Sequence, residues 1–189
     1  MNIAITGHSK GIGKALFEEL TKRGNHVVGY SRSNGFDISI SNVRDRIIDE
    51  SSEIDVFVNN AHSMPGQFEL LESFTNIWSE QNKLIVNIGS KIVYSDIVPV
   101  FAQSYFEDKK RQYEFIRNRL FLPKPQIMHL MLGIIDTDMA KHWVSEKISP
   151  LDLSVLISNL IEIKDTMFCQ ELILDVPFQD YKALTNNKT

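Results

Sequence analysis

Short apolar runs rich in β-branched residues alternate along this chain with longer segments of helical period, and that alternation constrains the fold more than any other feature. The runs occupy residues 2–6, 26–30, 54–59, 84–88, 126–132 and 171–176, with a weaker one near 36–38. Each is almost continuously apolar, which is how strands covered on both faces read. Between them, residues 14–23 put Leu16, Phe17 and Leu20 on one helical face, with Gly24 as a stop. Ser41 or Asn42 can cap a helix reaching about Glu50, and residues 67–80, 103–120 and 150–163 carry three more. Strands separated by helices need crossover connections, so the expected fold class is α/β. The sheet is parallel and doubly wound, in three layers, α/β/α. With 189 residues and no repeat, low-complexity tract or linker, one domain spanning 1–189 is expected. Residues 63–67, residues 139–149 and the polar tail after about 180 read as its mobile pieces.

Composition narrows the function classes. A hydrophobic fraction of 43% against 23% charged residues supports a packed core. The net charge of −4 is too mild to suggest a nucleic acid or a membrane surface as partner. The mildly cationic run 107–119 reads as a solvated helix face. A single cysteine, Cys169, excludes an internal disulfide framework and a thiolate zinc site. His8, His26, His62, His129 and His142 show no mutual i, i+4 spacing, so no metal is expected. Gly89-Ser90 lacks the Gly-x-Ser-x-Gly frame of a hydrolase elbow. No apolar run approaches the ~20 residues of a membrane helix, and Met1–Thr6 does not resemble a signal peptide. A cytoplasmic location is the expectation.

The strongest local signal is Thr6-Gly7-His8-Ser9-Lys10-Gly11-Ile12-Gly13, directly after the first strand and opening the first helix. Glycines there allow a tight turn, close approach of backbone to a pyrophosphate, and close helix–strand packing. The helix N-terminus offers free N–H groups and a positive dipole end to that anion. A Rossmann-like dinucleotide site with Gly7, Ser9, Lys10, Gly11, Ile12 and Gly13 around the phosphates is expected. The second strand ends Gly29-Tyr30-Ser31-Arg32-Ser33 without the carboxylate that usually holds the ribose hydroxyls of NAD. Arg32 can instead pair with a 2′-phosphate, with Lys10 joining from the first turn, which favours NADP(H) over NAD(H). The alternative is two solvated surface cations.

Taken in order, the motifs resemble those of the short-chain dehydrogenase/reductase family along most of the chain. Thr6–Gly13 matches its Thr-Gly-xxx-Gly-x-Gly turn, and Asp37-Ile38 stand where the family contacts the adenine. Asn59-Asn60-Ala61 match the Asn-Asn-Ala-Gly motif after the fourth strand, with His62 in place of the glycine. Asn87-Ile88-Gly89-Ser90 match the end of the fifth strand, which carries a catalytic serine. Tyr105 and Lys109 form the Tyr-xxx-Lys pair. The segment containing Gly133, Ile135 and Thr137 is similar to Pro-Gly-x-Ile-x-Thr over the nicotinamide, with Leu132 for proline. The resemblance implies an NADP(H)-dependent oxidoreductase that reduces a carbonyl, or oxidises the alcohol, through Ser90, Tyr105 and Lys109. Cofactor contacts would come from Ser31, Arg32, Ser33, Asp37, Ile38, Asn59, Asn60, Ala61, Tyr105, Lys109, Gly133, Ile135 and Thr137 in addition to the glycine turn. The partner it implies is a small carbonyl or alcohol. Relatives commonly dimerise through the helices here read at 67–80 and 103–120, so a homodimer or homotetramer is expected.

The chemistry also follows from spacing. Tyr105 and Lys109, four apart, project from one helix face. An ammonium ~4 Å from a phenol at an effective dielectric of ~20 contributes about 4 kcal/mol, roughly three pKa units, enough to make the phenol a working acid or base. Ser90, at a strand C-terminus, can donate to the substrate oxygen as charge develops there. In the family's cycle Lys109 would also bond the nicotinamide ribose. The stretch 61–84 is short for the family. The family's fourth catalytic residue is an asparagine on the helix in this stretch, but counting back from Ser90 lands near Pro65, and Asn76 does not match its placement. His62 reads as a surface histidine, and the brevity of 139–149 implies a shallow, open pocket suited to a bulky or protein-bound substrate. An NADP(H)-binding regulator or scaffold that kept the fold with little or no turnover is the alternative function.

Overall fold

The computed structural model describes residues 1–119, 121–122, 124–144 and 146–176. Its elements, in chain order, are β1 (Asn2–Thr6), α1 (Gly11–Lys22), β2 (His26–Tyr30), α2 (Ser41–Glu50), β3 (Val56–Asn59), α3 (Gly66–Ile77), β4 (Leu84–Ile88), α4 (Gln103–Arg117), β5 (Gln126–Leu132), α5 (Pro150–Glu162) and β6 (Glu171–Leu174). All six strands pair in parallel, in the spatial order β2-β1-β3-β4-β5-β6. From β1 the chain steps outward to β2 and then returns past β1 to β3. The C-terminal ends of β1 and β3 therefore flank the crevice where open α/β sheets bind ligands.

Each strand divides its side chains between two cores. Ile3 and Ile5, Val56 and Val58, Leu84 and Val86, and Met128 and Leu130 face α1 and α5, where Leu16, Leu20, Ile157 and Ile161 close the layer. Ala4, Phe57, Ile85 and Ile127 face the opposite way, onto α2, α3 and α4, against Ile47, Leu71, Phe74, Trp78 and Ile116. The two-residue period of a strand, with both faces covered, produces the unbroken apolar runs in the sequence. Phe57 stacks on Phe74 at 3.8 Å between ring centroids, with Trp78 edge-on at 4.9 Å. The three-layer α/β/α architecture is as expected.

Several local expectations are corrected. The run near 36–38 forms no strand. A 3-10 turn at Arg32–Asn34 is closed by Gly35 at φ +86°, and Phe36 N–H returns to the Ser31 carbonyl, so the chain curls away from the sheet. The edge strands β2 and β6 are only partly covered. The α2 cap position is Ile40, and neither Ser41 nor Asn42 supplies a side-chain cap. Helix α1 begins at Gly11, three residues earlier than its apolar face suggests. β3 and β6 are shorter than their runs, and α3 ends at Ile77. Within 63–67, Gln67 is fully buried rather than loosely held. Residues 135 and 148 form a parallel bridge, with Asp136 N–H on the Ile148 carbonyl at 2.9 Å, tying down the ends of the loop expected to be mobile. Leu120, at the end of the helix read at 103–120, and the tail beyond 176 lie outside the described residues.

Candidate active site

The glycine turn is built as its sequence demands. Gly7 and Gly11 have φ of +73° and +53°, a region L side chains rarely adopt. A Cβ on Gly13 would stand 2.3 Å from the Gly7 carbonyl oxygen, so only glycine lets α1 start this close to the turn. Asn60 braces the loop by donating through Nδ2 to the Thr6 carbonyl at 2.9 Å, while Thr6 Oγ1 accepts from the N–H groups of Asn60 and Ala61, both at 3.0 Å. The motif pieces after β1 and β3 are thereby one structural unit. The N–H groups of Gly11, Ile12 and Gly13, in the first turn of α1, have no partners within the helix.

Thr137 closes this turn from the other side, its methyl group 3.0 Å from the Cβ position of Gly11. A cavity of about 440 Å3 opens here, lined by Ser9, Lys10, Gly11 and Lys14 on one side and by Asp136, Thr137, Asp138 and Lys141 on the other. Its backbone donors, hydroxyls and three ammonium groups can face an anion, with the carboxylates of Asp136 and Asp138 partly offsetting that charge. Lys10 lies 3.8 Å from Asp138, but both side chains are about 80% exposed and such a pair holds Lys10 only weakly. Gly133 and Ile135 stand farther back. Gly133 N–H donates to the Leu174 carbonyl at 2.8 Å, and Ile135 is buried in the core. Ile12 also packs its side chain inward, leaving only its backbone to the crevice.

Past β2, Ser31 Oγ lies 2.7 Å from Ser33 Oγ, and Asn34 Oδ1 accepts the Ser31 N–H at 2.8 Å. This turn presents Arg32 and Ser33 outward, beside Asp37. The Asp37 carboxyl is held below its usual range mainly by the Ser39 backbone N–H, with the Arg32 guanidinium adding to the effect. Ile38 is buried, and its carbonyl abuts Gly66 so closely that a Cβ there would lie 2.0 Å away.

The three residues expected to carry chemistry meet at the C-terminal end of β4. Ser90 follows that strand, its Oγ accepting the Ile92 N–H at 3.3 Å, and it lies near enough to the phenol of Tyr105 on α4 to lower its pKa. Lys109, one helical turn on, is 3% exposed and stands 5.6 Å above the Tyr105 ring. It donates to Gln67 Oε1 at 2.7 Å and to the Ile88 carbonyl at 2.8 Å. Burial pulls its pKa down to about 7, with the Asp108 carboxylate opposing that fall.

The expected electrostatics need one correction. Burial pushes the Tyr105 phenol above its ordinary value, outweighing the lowering influence of Ser90, and Asp108 adds to the rise. Lys109 is aimed at Gln67 and Ile88 rather than at the phenol, so spacing alone overstated its pull on the proton.

Sequence reasoning missed the polar scaffold behind these residues. Asn59 donates to Asn87 Oδ1 at 2.9 Å, and Asn87 donates to Gln112 Oε1 at 3.1 Å. Gln112 in turn donates to Asp108 Oδ2 at 2.8 Å. Gln67, from the first turn of α3, donates to the carbonyls of Asn59 and Ile88 at 3.0 and 3.1 Å while receiving Lys109. His62, read as a surface residue, is packed into the site, edge-on to Tyr105 at 4.8 Å. Its pKa is lowered by burial and by the charge of Lys109. Asn76 sits exposed in the last turn of α3, at the end away from Gln67. No group of three metal-ligating side chains occurs among the described residues, and no helix among them is long and apolar enough to cross a membrane.

No protein-family model and no curated protein matches the sequence. Solved structures do. A short-chain dehydrogenase from Burkholderia cenocepacia J2315, in complex with NADP, superposes with a TM-score of 0.72 at 18% identity, covering 93% of this chain and 88% of that one. A 4-hydroxyisoleucine dehydrogenase complexed with NADH gives 0.76 at 16% identity, over 92% and 96%. A 3-ketoacyl-(acyl-carrier-protein) reductase from Brucella melitensis, complexed with NADH, gives 0.69 at 18% identity, over 93% and 96%. The chain has the fold of the short-chain dehydrogenases/reductases.

Proposed function

We propose that this chain is a nicotinamide-dependent oxidoreductase of the short-chain dehydrogenase/reductase family, reducing a carbonyl or oxidising the corresponding alcohol, with NADP(H) preferred. The observation that carries this reading is the meeting of Ser90, Tyr105 and Lys109 at one strand end, beside a crevice whose glycine turn tolerates no added methyl group at Gly13. The solved structures sharing the fold hold both NADP and NADH, so the preference rests on this chain's own Arg32 and Lys10.

Gly7, Gly11, Ile12 and Gly13 would hold the pyrophosphate through backbone, with Ser9, Lys10 and Thr137 around it and Arg32 on the 2′-phosphate. Asp37 and Ile38 would border the adenine, and Asn59, Asn60, Ala61, Gly133 and Ile135 the floor toward the nicotinamide. The bound dinucleotide supplies the hydride. Tyr105, protonated at neutral pH because burial raises its pKa, donates its proton to the substrate oxygen. Ser90 donates a second hydrogen bond to that oxygen as charge builds. Lys109, its pKa brought down to about 7 by burial, can give up or take a proton near neutrality, and it is the group that would bond the nicotinamide ribose. The substrate is a small carbonyl or alcohol, the setting the cytoplasm, and the assembly a homodimer or homotetramer.

The test is NADPH oxidation across a broad carbonyl panel by wild type and Tyr105→Phe. Removing a general acid typically lowers turnover by about 10²–10⁴-fold, and that loss with intact cofactor binding is the expected result. Turnover unchanged by Tyr105→Phe would reject the proposed acid. Binding without turnover on any substrate would favour a nucleotide-dependent regulator, a reading consistent with Lys109 spending two hydrogen bonds inside the scaffold.

A further inference from the structure

His62 is where this chain departs from the pattern its neighbouring motif follows, and the fold brings it against a buried carboxylate. Asp108 precedes Lys109 on α4, and its side chain is 4% exposed. It accepts one hydrogen bond, from Gln112 Nε2, and faces His62 Nδ1 at 3.6 Å. That nitrogen is buried without a hydrogen-bond partner, although the His62 side chain as a whole is 23% exposed. The ring as a whole packs edge-on to Tyr105, 4.8 Å between centroids. A buried carboxylate is costly unless a cation lies near; Lys109, next on α4, is equally buried, joins Asp108 through Gln67 and Gln112, and feels its charge.

We propose that Asp108 is a positioning residue of the proton-transfer site, acting both as the buried counter-charge of Lys109 and as the group that fixes His62, packed edge-on to Tyr105, with its proton on Nδ1. The inference rests on reading Tyr105 and Lys109 as the proton-transfer pair. A carboxylate 3.6 Å from Nδ1 attracts an N–H there and repels a lone pair, which selects the tautomer even before the contact tightens.

The groups facing Lys109 are few among the described residues. Its own helix contributes Tyr105 and Asp108, the loop after β3 contributes His62, and β5 contributes His129. Helix α3 and strand β4 contribute only the Gln67 amide and the Ile88 carbonyl. Both imidazoles are held neutral by burial and by Lys109 itself. Asp108 is left as the anion that offsets the desolvation of the lysine.

The test uses the full chain without cofactor, labelled with 15N in histidine and with 13C and 15N at the lysine Cε and Nζ. Signals are assigned by their loss in His62→Gln and Lys109→Arg. In wild type at pH 8, the His62 nitrogens are expected to show the Nδ1–H form. Asp108→Asn should shift that signal toward the Nε2–H form and move the Lys109 titration to lower pH, and Asp108→Glu should restore both. Wild-type His62 protonated on Nε2, or a Lys109 titration unmoved by Asp108→Asn, would overturn the inference. The wild-type tautomer needs no substitution at Asp108, so it decides the matter even if Asp108→Asn fails to fold. No turnover is measured, so a chain that binds nucleotide without reducing anything could still pass.

Discussion

Lys109 is wholly enclosed by protein, and that one placement explains why its neighbours are amides, a carboxylate and neutral imidazoles. An ammonium deprived of water needs acceptors, and Gln67 and the Ile88 carbonyl supply them. At this scale the sequence is most informative where spacing does the work. Tyr105 and Lys109 share a helix face at any tertiary arrangement, and Ser90 follows a recognisable strand. Gln67, Asp108 and Gln112 were not legible, because an amide or carboxylate on a polar helix usually meets solvent. The available signal was that 105, 108, 109 and 112 share one stripe of α4 with the apolar Ile116. Two substitutions test the residue roles. Ser90→Ala should lower turnover while leaving nicotinamide binding intact, as followed by cofactor fluorescence. Arg32→Ala should weaken NADPH by about 1–3 kcal/mol, the range for a lost charged hydrogen bond, and NADH far less. Equal loss of both cofactors would show that Arg32 does not read the 2′-phosphate.

Among the elements, the turn from β1 into α1 carries the greatest constraint. Alanine is a better helix former than glycine by about 1 kcal/mol, so Gly13→Ala would be expected to stabilise an ordinary helix. Here the added methyl group would strike the Gly7 carbonyl, and the same change should instead destabilise the chain and abolish nucleotide binding. Denaturant midpoints and a cofactor titration of the variant decide between those outcomes. The turn was legible because a glycine requirement is local. The failed strand near 36–38 shows the opposite case. Its apolar residues do become buried, as Ile38 is at 4% exposure, but against α3 rather than in the sheet. A short apolar run states that a residue goes inside without stating into which layer.

Across the whole molecule, the fold was legible because six apolar strand runs separated by helices, the four inner ones covered on both faces, leave few alternatives to a doubly wound sheet. What lies inside that sheet was less so. His129, in the middle of β5, is fully buried with both ring nitrogens unpartnered, and burial followed by the charge of Lys109 pulls its pKa down to about 3. Between the ordinary value of 6.5 and about 3, the unfolded chain binds a proton that the folded chain refuses. Stability should therefore fall as the pH drops through that window, by about 1.4 kcal/mol per pH unit for a single such group. His129→Leu should flatten that slope in denaturant titrations from pH 4 to 7, and an unchanged slope would assign it to other groups. The central claim is that the crevice between β1 and β3 receives a nicotinamide dinucleotide next to Tyr105. Thermal denaturation with NADPH, NADP⁺ and NADH tests it most directly, since a ligand at 100 times its Kd stabilises the folded state by about 2.7 kcal/mol. A rise in Tm larger for NADPH than for NADH is the predicted result; no shift with any of the three would contradict it.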